Sequence, residues 1–202
     1  MIDRTNPWQC LDTEIGFDTP YYSARRDIVR HRSGREHPYV SVRTKFRGVG
    51  VLPIDAEGCT TIIGQYRYVL DRFTWETVRG GIPMDTAPLD GAEQELAEET
   101  GIHAEHWLHL FDLNASPGLT DEICPCFVAW GLRTGPARPE QHETITQRRL
   151  PFAEAVSMAL AGEIADASSV ALILGLHTRL LRRDLPAELL ALLGQAPEQC
   201  PA

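Results

Sequence analysis

Lysine is almost absent from this 202-residue chain. Lys45 is the only one, and every other basic side chain is arginine. It stands in Thr44-Lys45-Phe46, outside any glycine-rich loop, which excludes a P-loop nucleotide site and argues against a Schiff-base lysine. Long apolar runs are missing too. The longest, Val170 to Leu176, is far too short to cross a bilayer, and the first residues carry no apolar stretch of a secretory signal. A cytoplasmic protein without membrane contact is expected. Positive charge is in deficit, with 19 Lys and Arg against 28 Asp and Glu. The resulting net charge of −9 excludes wholesale binding of a nucleic-acid backbone. An acidic protein that handles phosphates needs a divalent cation between the two negative partners.

Cysteine pairs at metal-binding spacing are also lacking. The five cysteines are scattered, and Cys124-Pro125-Cys126 has neither a second pair nor clustered histidines to complete a zinc site. They read as small buried thiols of a strand. His103, His106 and His109 recur at spacing three, but on a segment that reads as strand, so no metal site is expected there.

What is present is an ordinary globular composition, 43% hydrophobic and 23% charged. At this length it suits one domain with a small appended region, whose core needs no disulfide. Residues 1 to about 36 show no clear period and read as irregular. Alternation then predicts strands at Tyr39–Arg43, Gly48–Ile54, Thr60–Leu70, Thr74–Val78, Trp107–Leu113 and Ile123–Leu132. Helices are predicted at Pro88–Thr100, Pro151–Ala161, Asp166–Arg182 and Pro186–Leu193. Pro151 and Pro186 suit first turns, and Asp166 suits an N-cap. Strands, helix, strands, helices in that order imply an α+β sandwich.

The helix at 88–100 carries the chemistry. Leu89, Ala92 and Leu96 form an apolar stripe, and Gly101 suits the left-handed C-cap. Glu95, Glu98 and Glu99 share a surface, because residues three and four apart are neighbours on a helix. Each like-charge pair costs about 0.2–0.5 kcal/mol, and acids near a helix C-terminus oppose its dipole. No Lys or Arg lies between Gly80 and Ile102 to relieve this. A solvated acidic face is one reading. A magnesium site, with three oxygen donors and the glycine pair Gly80-Gly81 bringing backbone close, is the other.

The window 80–102 resembles the Nudix box: Gly, five residues, Glu, seven residues, then Arg-Glu-apolar-x-Glu-Glu-x-Gly-apolar. Gly80, Glu95, Leu96, Glu98, Glu99, Gly101 and Ile102 match, while Thr86 replaces the first Glu and Gln94 replaces the Arg. The resemblance extends over about Tyr39 to Leu181. Pro117 lies sixteen residues after Gly101 in Ser116-Pro117-Gly118-Leu119-Thr120-Asp121-Glu122, similar to the loop of the branch that cleaves ADP-ribose and related sugar nucleotides. Gln65-Tyr66-Arg67, Trp75-Glu76 before Gly80, and Gly162 to Ala167 resemble further segments of that branch.

The resemblance implies a Nudix-type α/β/α sandwich with a mixed sheet over residues 47–194. It adds a small β-rich N-terminal region (1–46) for dimerisation and substrate contacts; residues 195–202 read as a loose tail. It implies magnesium, with manganese as a possible substitute, held by Glu95, Glu98, Glu99 and the backbone carbonyl of Arg79. Substrate contacts fall to Arg67, Glu76, Gly80, Gly81, Pro117 and Glu122. Glu143 matches the family's loop base, with Glu140 the near alternative. A homodimer is implied, with Tyr21, Tyr22 or Trp75 available to stack on the base. The expected activity is hydrolysis of the diphosphate of a nucleoside diphosphate sugar such as ADP-ribose. Two alternatives stay open: another nucleotide substrate (a nucleoside triphosphate, dinucleotide or coenzyme), or a degenerate module that binds a nucleotide without turning it over.

Overall fold

A computed structural model of the chain describes residue 2 and residues 4–137, 144–195, 197 and 199–200. The first surprise lies at the N-terminus. The segment expected to be irregular forms two long strands, β1 (Trp8–Asp18) and β2 (Tyr22–His31), which pair antiparallel with β3 (Glu36–Thr44) into a three-stranded sheet. The β-rich region implied by the resemblance is there. The irregular reading failed because β1 is exposed along its whole length, so neither face carries the alternation on which strand assignment depends.

From β4 (Phe46–Pro53) the sandwich begins. Strand β5 (Cys59–Arg67) ends in a 3-10 turn at Tyr68–Leu70, shortening the strand expected to reach Leu70. The strand expected at Thr74–Val78 is two, β6 (Arg72–Glu76) and β7 (Val78–Pro83). The break at Thr77 follows from its N–H donating to Ser169 Oγ, 2.9 Å away, instead of to a neighbouring strand. Helix α1 (Pro88–Thr100) follows, then β8 (Ile102–Leu113), β9 (Cys124–Thr134), β10 (Thr146–Pro151), α2 (Phe152–Ala161), α3 (Ala167–Leu181) and α4 (Ala187–Gly194). One sheet runs β7-β4-β9-β8, with β4 and β9 parallel; the other runs β10-β5-β6.

Period-two alternation builds two cores from the same strands. Val49 and Val51 of β4, with Phe127 and Ala129 of β9, face Ala92 and Leu96 of α1. Leu52 of β4, with Cys124, Cys126, Val128 and Trp130 of β9, faces Ile173 and Leu176 of α3. Cys124 and Cys126 are therefore buried core thiols, as their strand pattern implies. Leu89, assigned to the same apolar stripe, is instead 38% exposed in the first turn of α1. Among the remaining cysteines, Cys59 and Cys200 form a disulfide that ties the C-terminal tail to the start of β5.

Candidate active site

Helix α1 begins with Pro88 at its first position and ends at Gly101, whose φ of 72° is the left-handed conformation that glycine adopts without strain. A side chain there would also meet Gly135 O at 2.3 Å. The helix packs on β7, so its outward acids meet the strand that carries the glycine pair. An ideal Cβ on Gly80 would lie 2.1 Å from the Glu95 carboxylate. Glycine at 80 is thus what lets that carboxylate lie against backbone. Glu99 is only 3% exposed, and its Oε2 accepts the Arg79 N–H at 3.3 Å. Glu95, Glu98 and Glu99 line one cleft of about 620 Å³ with Gly80, Gly81, Lys45 and Tyr21. Gly81 faces the Phe46 ring, 3.1 Å from an ideal Cβ. The three predicted metal carboxylates and both predicted glycines are brought together.

The two departures from the box have local roles. Gln94 Nε2 donates to Glu98 Oε1 at 2.9 Å, a neutral donor in place of the family's cation. Thr86 closes the turn before α1 with its N–H on Pro83 O.

A second cleft, about 440 Å³, is lined by Arg67, Arg72, Glu76, Arg79 and Asp166. Glu76, 2% exposed, receives Arg67 through Nε at 2.8 Å and Nη2 at 2.5 Å, and Thr74 Oγ1 at 2.6 Å. The hydrogen bonds to Glu76 raise the Arg67 pKa above its ordinary value despite burial, so its charge is secure.

Pro117 sits elsewhere. It lines a recess of about 490 Å³ with Trp8, Tyr39, Ser41, Arg43 and Asn114. Tyr39 Oη donates to Gly118 O at 2.9 Å, and Asp121 takes the Thr44 N–H and the Arg43 guanidinium, which fastens the N-terminal sheet to the Pro117 loop. Burial works to raise the Asp121 pKa, but these bonds outweigh it and hold the carboxyl below its ordinary value. Ser41 Oγ and Arg43 Nε are buried in the recess without a hydrogen-bond partner among the described residues. Glu122 lies against Gly48, its Oε1 3.0 Å from an ideal Cβ there, and does not line the carboxylate cleft.

The aromatics divide differently from expectation. Tyr21 lines the carboxylate cleft, while Trp75 packs edge-on to Phe73 with Arg148 over its ring. Trp8 and Tyr39, not among the expected contacts, wall the Pro117 recess. The available signal was large aromatics on otherwise polar strands, which a polar surface gives no reason to hold. Glu143 and Glu140 lie outside the described residues.

Among the described residues, no three His, Cys, Asp or Glu side chains are grouped so as to hold a metal ion by themselves. Magnesium does not need one, since it keeps several waters and binds through one or two carboxylates plus substrate phosphates. An all-oxygen donor set, with a strand shaped by Gly80 to receive a carboxylate, fits such a hard cation.

The comparisons follow that geometry. No family model matches the chain. It is 34% identical over 178 residues to the ADP-ribose pyrophosphatase of Mycobacterium tuberculosis, covering 84% of this chain and 83% of that protein. It is 30% identical over 166 residues to the GDP-mannose pyrophosphatase of Citrobacter koseri, covering 75% and 81% respectively. The fold superposes on the crystal structure of an ADP compounds hydrolase with a TM-score of 0.80, covering 90% of this chain and 98% of that one at 18% identity. With a box that keeps its three carboxylates and relatives that align over most of their length, the chain belongs to the Nudix hydrolase family, in its ADP-ribose pyrophosphatase-like branch.

Proposed function

We propose that the chain hydrolyses the diphosphate linkage of a nucleoside diphosphate sugar, ADP-ribose first among them, releasing nucleoside monophosphate and sugar phosphate. The observation that carries this reading is the seating of Glu95 against Gly80, with Glu98 and Glu99 lining the same cleft. The relatives named for ADP-ribose and GDP-mannose support the substrate class.

Glu95, Glu98 and Glu99, with the Arg79 carbonyl, would hold magnesium, and manganese is the natural substitute. When bound, such a cation neutralises the diphosphate and lowers the pKa of a water for attack on phosphorus. The rest falls to the chain's own groups. Arg67, fixed by Glu76, and Arg79 offer guanidinium charge beside the phosphates, where preorganised donors stabilise developing charge. We assign the general base to Glu143, with Glu140 the near alternative, since a carboxylate is a suitable group to take the proton of the attacking water. Trp8 and Tyr39 suit the flat face of a nucleobase.

A homodimer belongs to this reading. Ile15, Phe17 and Val40 are 56%, 59% and 61% exposed on the N-terminal sheet, apolar surface that a second copy would cover. We place the protein in the cytoplasm, without nucleic-acid partners; the Cys59–Cys200 disulfide is the observation against that compartment. No helix among the described residues is long and apolar enough to cross a membrane.

Incubation with a panel of sugar nucleotides and magnesium, scored for nucleoside monophosphate, tests the proposal. Release from ADP-ribose or GDP-mannose supports it. Release only from nucleoside triphosphates would move the chain to another substrate class, and stoichiometric binding without release would make it a binding module.

A further inference from the structure

The turn that starts α3 is more heavily built than a helix cap requires. Asp166 is the N-cap, and its Oδ2 accepts the Ser169 N–H at 2.9 Å, Ser169 Oγ at 2.8 Å and Ser168 Oγ at 2.6 Å. One carboxylate oxygen therefore completes the cap, which Ser, Thr or Asn could equally supply. The other oxygen reaches a different element. Oδ1 accepts Arg79 Nη1 at 2.5 Å, with both side chains mostly buried at 27% and 18% exposure.

The same turn grips the strand a second time. Thr77 N–H donates to Ser169 Oγ at 2.9 Å, and both residues are fully buried. Residues 77 and 79 are thus both tied to α3, immediately before the glycine that receives Glu95. From Arg79 the link continues to the acids, because its backbone N–H donates to Glu99 Oε2 at 3.3 Å. Between a guanidinium and a carboxylate, the Arg79 contact is a charge-assisted bond of the stronger kind.

We propose that Asp166 is a positioning residue for the metal-carrying strand: by holding the Arg79 guanidinium, it fixes the backbone at 79–80 against Glu95 and Glu99. The inference rests on the metal reading of those acids. Partners one step removed from a metal's ligands orient them, and their loss typically costs about 10–100-fold in metal affinity or activity.

The test is Mn²⁺ binding to the substrate-free protein, read from the paramagnetic signal of free Mn²⁺, alongside thermal unfolding. Asp166→Asn keeps a carbonyl acceptor for the Ser169 N–H but loses the charge that holds Arg79. It should raise the Mn²⁺ dissociation constant at least about tenfold. Arg79→Gln, which leaves the α3 cap intact, should do the same, and the double variant should be no worse than either single change, because both break one link. Glu99→Gln is the reference. If Glu99→Gln weakens Mn²⁺ binding while both Asp166→Asn and Arg79→Gln bind it like wild type, Asp166 is only a cap and the proposal is wrong. If Glu99→Gln itself binds Mn²⁺ normally, the metal reading fails and takes this inference with it. Should Asp166→Asn fail to fold, Arg79→Gln alone decides between the same outcomes.

Discussion

The carboxylate cleft and the aromatic recess are built by opposite means. In the cleft, three acids from one turn and a half of α1 are presented by helical spacing alone, and one glycine on a neighbouring strand receives the first of them. In the recess, Trp8, Tyr39 and Pro117 come from β1, β3 and the loop before β9, and strand pairing brings them together. Under the proposed function, charge meant for a small cation is set by local geometry, whereas a surface meant for a flat ring is assembled by topology. Substitutions in the two regions should therefore fail differently: the cleft through turnover and metal, the recess through substrate affinity.

The largest effect is expected at Glu95. Glu95→Gln removes charge with little change in volume and should bring turnover close to background, while thermal unfolding shows a helix as stable as before or slightly more so, since a like-charge repulsion is gone. An active Glu95→Gln variant would remove the cleft from the account. Next comes the proposed base. Glu143→Gln should lower kcat by about 10²–10⁴-fold, the usual worth of a general base, and leave Mn²⁺ affinity unchanged. Glu140→Gln is its control, and a reversal between the two would move the base three residues upstream. Gly80→Ala should follow at about 10²-fold, because a Cβ 2.1 Å from the Glu95 carboxylate forces that side chain aside. Normal turnover by that variant would mean the cradle is incidental. The smallest effect belongs to the recess. Trp8→Ala or Tyr39→Ala should raise KM about tenfold at nearly constant kcat, since stacking on a base is worth roughly 1–3 kcal/mol. A fall in kcat at constant KM would show that the two regions are not separable.

This contrast also governs what the sequence discloses. Helix α1 is legible almost whole, because Pro88, the Ala92–Leu96 stripe, the three acids and Gly101 all obey one period; the exception, Leu89, turns into a side cleft with Arg47 and Phe127. The central strands β4 and β9 are legible because both faces are buried and their residues are apolar. The N-terminal strands are not, because exposed β1 gives no pattern to read. Strand β10, Thr146–Pro151, is hidden for a similar reason: Thr146, Gln147 and Arg149 are exposed and only its end is buried. The site divides along the same line. Glu95, Glu98, Glu99 and Gly80 follow from spacing within one box. The Arg67–Glu76 pair is foreshadowed only as two separate substrate contacts, and the hydrogen bonds joining them come from the pairing of β5 with β6. The Asp166–Arg79 link spans 87 residues and leaves no trace in local pattern.

The central claim is that the α1 carboxylates run diphosphate hydrolysis through a divalent cation. The most direct measurement is the initial rate of AMP release from ADP-ribose across a magnesium titration, for the wild-type protein and for Glu99→Gln. The account predicts a wild-type rate that rises from zero with magnesium and saturates, and a Glu99→Gln rate near background throughout. A wild-type rate that persists in excess chelator, or a Glu99→Gln curve that overlays the wild type, would contradict it.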